Sequence, residues 1–468
     1  MHKSYLFLLL LGILACGRTL AQTPKVWTLE QCLITAVQNA PLATQAKLQQ
    51  ELADWDLKSA KSQRLPNISA SSGLGMQLGY TIDPTTNTFD NQQIGYNGIN
   101  LNAELTVFAG GSVNNNVKAQ KYQHESVSWQ QKEVINQLKL RVLVAYMNAL
   151  LGGEQLGQSK LEEASLMAQV DNIKRQIEAG TRSANERLEL EIQIAQNRQL
   201  IVQAQQQYDL AQAELRFLLV LDQDAPLTLA PWETVEQIPQ QNRKQSLQLA
   251  HYPTIKDRQA QLKAAEYRLK AARGGSMPQI TLFGSLNTNY SSVSQKVVGY
   301  EVDNSSESVS FMGTEGTLIR FGESPIYAPN PYFNQLRQNF GQQVGVFFSI
   351  PIFQQSQNHI ATQRSKVDLL QARAALQNEQ QQLSFTVQQA LIAQMAALAN
   401  YEAAQYTAKV NQKLMQNKER EFKLGSCNAL DYFIVRNRSL NAQRQLLAAR
   451  YDYYYRTKVL ELYERGEL

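Results

Sequence analysis

Few residues of this 468-residue chain have the type and spacing to do chemistry. His124, His251 and His359 stand apart from one another and from any Cys or acid at ligand spacing. Neither metal binding nor acid–base work is expected of them. No nucleophile elbow, P-loop or dinucleotide-binding glycine pattern lies where a strand and a helix would support it. The chain therefore does not read as an enzyme, and no cofactor or metal is expected. Two spacings remain. Glu186 follows Gly180 by six residues, and Asp431 follows Gly425 by six. The plain reading of each is a solvated acid in a first helical turn, favoured by the helix dipole. Lys418, Glu419, Arg420 and Glu421 read as a solvated helix face.

The elements that hold these residues are bounded by composition. Basic residues number 45 against 40 acidic, with no basic block, which argues against a nucleic-acid partner. The N-terminus has a basic start, an apolar core from Tyr5 to Ala15, and small residues before Gln22. That is an export signal over 1–21, with cleavage expected after Ala21. Lipidation at Cys16, after Ile13-Leu14-Ala15, is the second reading. Cys32 and Cys427 then remain, too few and too far apart for a disulfide framework. No apolar run of 18 residues follows the signal, so no transmembrane helix is expected.

Pro66–Ile82 alternates, Ser72 excepted. Ile68, Ala70, Leu74, Met76, Leu78, Tyr80 and Ile82 fall on one side, and Asn, Ser, Gly, Gln and Thr on the other. This is a two-faced strand. Similar strands are expected at about 98–108, 279–290 and 342–352. Between the last two, about 291–339, a Ser/Asn/Gly/Pro-rich loop is expected. The rest reads as helix. Thr28 is the expected N-cap of the first helix, which runs past Pro41 to about Arg64. A helix covers 112–179 and turns at Gly180. Its return from Ala184 carries a 4,3,4,3 seam of Leu190, Ile194, Asn197, Ile201, Ala204, Tyr208, Ala211 and Leu215.

The second half repeats the first. Pro41 and Pro66 correspond to Pro253 and Pro278, both 212 residues on, whereas Phe108 and Gly180 correspond to Phe353 and Gly425, both 245 residues on. The 33 extra residues fall in the long loop of the second copy. The expected organisation is a first repeat over 22–221, a linker over 222–243 and a second repeat over 244–468.

Four strands cannot close a barrel, and an open sheet edge cannot face lipid. If the strands cross a membrane, several chains must share one barrel. A helix of 68 residues would be about 100 Å long, so the hairpin tips at Gly180 and Gly425 lie far from the strands.

The chain resembles the TolC-type outer-membrane efflux channels. The resemblance rests on the order and register of several motifs: Trp27-Thr28-Leu29-Glu30 with Asn39-Ala40-Pro41, the strand entries at Pro66 and Pro278, and the strand exits Val107–Gly111 and Ile350–Phe353. The segment Ala145–Leu151 and the two glycine tips complete it. It spans nearly all of the mature chain. It implies a mainly α protein with a small membrane β-barrel portion, assembled as a homotrimer with a 12-stranded outer-membrane barrel and a 12-helix periplasmic tunnel. The implied partners are outer-membrane lipid, a periplasmic membrane-fusion adaptor and an inner-membrane pump of the RND or ABC type. The implied function is a passive exit duct for efflux or type I secretion.

By the same resemblance Gly180, Thr181, Gly425 and Ser426 are adaptor-docking tips. Asp431, and less directly Glu186, are periplasmic gate residues. Ile434 stands where some relatives carry a second acid, and Cys427 where some carry a locking arginine. Two rival readings are a dedicated metal-ion efflux channel and a periplasmic coiled-coil structural or adaptor protein.

Overall fold

The computed structural model describes residues 26–82, 87–231, 251–311 and 313–466. The signal segment and Cys16 lie outside the described residues, as does most of the 222–243 linker. The chain divides into two compact units. One comprises Met1–Ala53, Gln123–Gln261 and Ala372–Leu468, and the other Asp54–Tyr122 and Leu262–Gln371.

The helices repeat in length. α1 (Leu29–Asn39) begins with a capping box in which Thr28 Oγ1 accepts from the Gln31 amide, and the Gln31 side chain accepts from the Thr28 amide. It stops at Ala40, whose extended backbone precedes Pro41, so the expected continuous helix is two helices. α2 (Pro41–Ser62) and α5 (Pro253–Gly274) each have 22 residues. α3 (Ser112–Glu178) and α7 (Gln357–Lys423) each have 67. α4 (Ala184–Leu219) and α8 (Ala429–Glu464) each have 36.

In the first unit α3 runs through Gly152 and Gly153 without a break. A Cβ on Gly152 would come 3.1 Å from Tyr208 Cα, so the glycines let α4 pack closely there. The α4 seam is buried at Leu190, Asn197, Ala204, Ala211 and Leu215. Asn197 donates from Nδ2 to the Ser159 carbonyl at 2.8 Å, while its buried Oδ1 finds no acceptor role among the described residues. β1 (Val26–Trp27) pairs in parallel with β4 (Thr228–Leu229), so the start of the linker is a strand. Tyr146 packs beneath this pair and donates to the carbonyls of Trp27 and Ala230. Burial pushes its phenol up to about 12. Tyr451 is likewise buried and donates to Glu154 at 2.5 Å, while Tyr453 stacks on Tyr401.

The second unit holds an antiparallel sheet of β2 (Asn67–Ile82), β3 (Phe89–Ala109), β5 (Gln279–Ser291) and β8 (Gly341–Ser349), in that spatial order. β3 starts nine residues before the expected Gly98, because its pairing with β2 continues in register to Phe89 and Ile82. β8 stops at Ser349, where Pro351 has no amide to donate.

The register puts the apolar rows on one face. Ala70 faces Leu101, Leu101 faces Leu286, and Leu282 faces Leu105 on one side and Val346 on the other. This face has no protein cover over most of its area: Leu74 is 85% exposed and Val344 82%. At the strand exit Gly110 has φ +59°, and a Cβ there would collide with the Gly274 carbonyl.

The expected long loop is not a loop. It holds a second, two-stranded sheet of β6 (Gln295–Phe311) and β7 (Thr314–Pro329), followed by the short helix α6 (Tyr332–Gln338). Its Ser, Asn and Gly residues pair through the backbone, which needs no apolar alternation.

Candidate functional site at the helical tips

The two helical hairpins of the first unit end in turns of the same construction. Gly180 and Gly425 have φ +72° and +76°, and no atom lies within 4 Å of an added Cβ at either. Glycine is required there by backbone conformation, not by crowding. The Thr181 amide and hydroxyl both donate to the Gln176 carbonyl at 2.9 Å. The Ser426 amide and hydroxyl do the same to Glu421, at 3.0 and 3.1 Å. Each is a six-to-one helix closure. The returning helices are capped by Ser183, which accepts from the Asn185 amide, and by Asn428, which accepts from the Asp431 amide at 2.7 Å.

Gly180, Thr181, Gly425 and Ser426 are exposed, and Leu424 beside them is 83% exposed. Behind the tips lies an aromatic and aliphatic core of Leu166, Ile173, Leu190, Tyr432 and Phe433. Phe422 stacks on Tyr432 with ring centres 4.5 Å apart.

The two gate residues expected from sequence occupy different settings. Asp431 is exposed in the first turn of α8. Its charge reaches Lys418, whose ammonium is held above the usual lysine range first by its bond to Glu421. Glu186 is half-buried and paired with Arg182 at 3.2 Å. That arginine also donates to the Phe422 carbonyl at 3.1 Å and lies over the Phe422 ring, so it joins the first tip to the second. Cys427 donates to the adjacent Asn428 carbonyl, at 3.3 Å.

Sequence reasoning missed Arg182. The available signal was its position: it follows the first tip glycine by two residues, as Cys427 follows the second. It also missed Arg436, whose side chain is 6% exposed and bonds Glu162 at 2.7 Å, Gln169 at 2.8 Å and Ser165 at 3.1 Å. Arg436 ties α8 to α3 just behind the tips. Among the described residues no group of three or more His, Cys, Asp or Glu could hold a metal ion.

The family model described as outer membrane efflux protein matches residues 33–219 and 245–463, which is most of both halves. The chain belongs to the outer membrane efflux protein family. With that membership goes residence in the outer membrane. Outer membrane protein TolC of Salmonella enteritidis is 24% identical over 177 residues, 37% of this chain and 36% of that protein. TolC of Escherichia coli K12 is 22% identical over 214 residues, 42% and 43% respectively. The matches thus span well under half the length of these curated relatives.

Among solved structures, CusC superposes with a TM-score of 0.76 at 16% identity, over 93% of this chain and 91% of its own. VceC from Vibrio cholerae gives 0.75 at 12% identity, over 94% and 96%. These likenesses show the fold: mainly helical, with a small β portion.

Proposed function

We propose that this protein is the outer-membrane exit duct of a tripartite efflux or type I secretion system. Three copies would share one 12-stranded barrel and one 12-helix periplasmic tunnel. The observation that carries the reading is the four-stranded sheet. Its apolar face is uncovered, and β2 and β8 form its two edges. Edge amides cannot face lipid unpaired, so β2 of one copy must pair with β8 of the next. Three such sheets supply twelve strands.

The rival reading, a periplasmic coiled-coil structural or adaptor protein, leaves this uncovered apolar sheet without an occupant. Transport in the proposed duct is passive, and the driving energy comes from the inner-membrane pump. The exposed tips around Gly180 and Gly425, with Leu424 beside them, are the proposed docking points for a periplasmic adaptor. The exposed Asp431, three per trimer, is the proposed gate ring, attracting cations at the tunnel mouth. Glu186 belongs to the clamp between the tips, since Arg182 matches its charge. A dedicated metal-ion duct is a narrower form of the same proposal.

The test is the mass of the full-length protein purified in mild detergent, together with its conductance in planar bilayers. Three copies and a steady pore are expected. A monomer, or a protein released from membranes by a salt wash, overturns the reading.

A further inference from the structure

We propose that α6 is an interfacial anchor that sets the outer edge of the lipid-covered band and seats in the headgroup layer of the outer leaflet. The inference rests on the exit-duct reading for the presence of lipid, and adds where the lipid stops.

α6 lies on the apolar face of the sheet, not on its polar face. The Tyr332 hydroxyl donates to Asn97 Oδ1 at 2.7 Å, the Tyr332 ring packs on Tyr290 at 4.9 Å, and Thr288 Oγ1 donates to the Leu336 carbonyl at 2.7 Å. Asn97 and Tyr290 are register partners, and Asn97 also pairs with Leu74 of the apolar row. The helix is fixed in place by Gln335. Its buried side chain accepts from the Ser291 amide and donates to the Ser291 and Asn330 carbonyls.

The row of β3 on this face changes character at the helix. On the side nearer the long helices it reads Ile99, Leu101, Ala103 and Leu105; from Asn97 onward it passes through Gly95 and Gln93 and ends at Phe89. Asn97 would be costly against acyl chains. Under α6 it is buried, and it donates to Ser72 Oγ and the Gly73 carbonyl.

The span below the helix matches a bilayer. From Ile280 to Tyr290 is ten residues, about 33 Å along a strand. A tilt of about 40° leaves about 25 Å of height, the apolar band of an outer-membrane barrel. Both limits carry aromatic rings. Phe108 and Phe348 flank Ile280 in one row, while Tyr290, Tyr332, Phe333 and Phe340 mark the other, with Phe333 81% exposed. Amphipathic rings at two levels are how membrane proteins hold the headgroup planes. Past the α6 row this face keeps apolar residues at Met76, Leu78, Tyr80 and Ile82 of β2 and at Phe89 of β3, which stacks on Tyr80. On this proposal they stand outside the acyl region.

The test reads depth by tryptophan quenching in phosphatidylcholine vesicles brominated either near the glycerol or near the chain ends. Full-length Val344→Trp, Phe333→Trp, Phe340→Trp and Ile82→Trp proteins are each measured against the unsubstituted chain. All four side chains are exposed, so folding tolerates the changes. Val344→Trp should lose most fluorescence to deep bromine, Phe333→Trp and Phe340→Trp to shallow bromine, and Ile82→Trp to neither. Phe333→Trp and Phe340→Trp both unquenched, or both quenched most by deep bromine, overturns the anchor. So does an Ile82→Trp signal quenched as strongly as that of Val344→Trp. If Val344→Trp is also unquenched, the exit-duct reading itself fails.

Discussion

The guanidinium of Arg182 lies 4.3 Å from the centre of the Phe422 ring and donates to the Phe422 carbonyl at 3.1 Å. One side chain thereby joins the turn of the first hairpin to the last turn of α7, where helix carbonyls lack intrahelical donors. Arg182→Ala removes both contacts and leaves Glu186 without its partner. The loss should be about 1–2 kcal/mol of local stability. Faster proteolytic cutting at the tips and a higher resting conductance in planar bilayers are expected. Unchanged cutting and conductance would show that the tips are held by other means.

Asp431 offers a contrast with Glu186. It is exposed at a helix start, and on the trimer reading three of them ring the mouth. Asp431→Asn removes the charge and keeps the size. Block of the open channel by multivalent cations added from the tip side should disappear. Glu186→Gln should leave that block intact, because Arg182 already matches its charge. Block that survives in Asp431→Asn would move the gate elsewhere.

Behind the tips, Arg436 and Glu162 form a nearly buried pair. Arg436→Met leaves a carboxylate with little solvent and no partner, a change that costs about 3–5 kcal/mol. A lower thermal midpoint is expected. The double variant with Glu162→Gln should recover much of the loss, since the stranded charge is then gone. A double variant no more stable than the single one would show that packing, not charge, is lost.

Glu133 provides a pH dependence. Burial raises its carboxyl above the ordinary glutamate range, with Glu379 and Asp257 adding to the rise and Gln137 and Arg258 opposing it. A carboxyl raised on folding is neutral in both states at low pH. It destabilises the fold as pH climbs from its unfolded value through its folded one, and stays destabilising above that. Glu133→Gln should therefore raise the thermal midpoint at pH 8 and leave it unchanged at pH 4. An equal effect at both would assign the change to hydrogen bonding with Gln137.

How much of this was legible in the sequence follows from where periodicity operates. The rows Ile68–Ile82 and Ile99–Leu105 announce themselves because apolar residues recur there at every second position, Ser72 excepted. The seam from Leu190 to Leu215 does the same with helical spacing. β6 and β7 were hidden, since a strand with no uniformly buried face need not alternate. Their Ser and Asn content reads as loop, yet their backbones pair along their length, with one irregularity between Val297 and Gly299. α6 was hidden for a related reason, being too short for a helical period. The tip glycines were legible through the duplication. The Arg182 clamp was not, because Phe422 lies 240 residues away and a lone arginine in a turn carries no pattern.

The matched helix lengths and the unmatched hairpin have a consequence for counting. The α3–α4 and α7–α8 hairpins are near copies, 67 and 36 residues each, whereas β6 and β7 occur in the second copy alone. Any ring built from this chain presents twice as many helical hairpins as β arms. A binder of the hairpins meets two almost interchangeable seats per subunit and must tell them apart by details such as Arg182 against Cys427. A binder of the arms meets one seat and has no such choice.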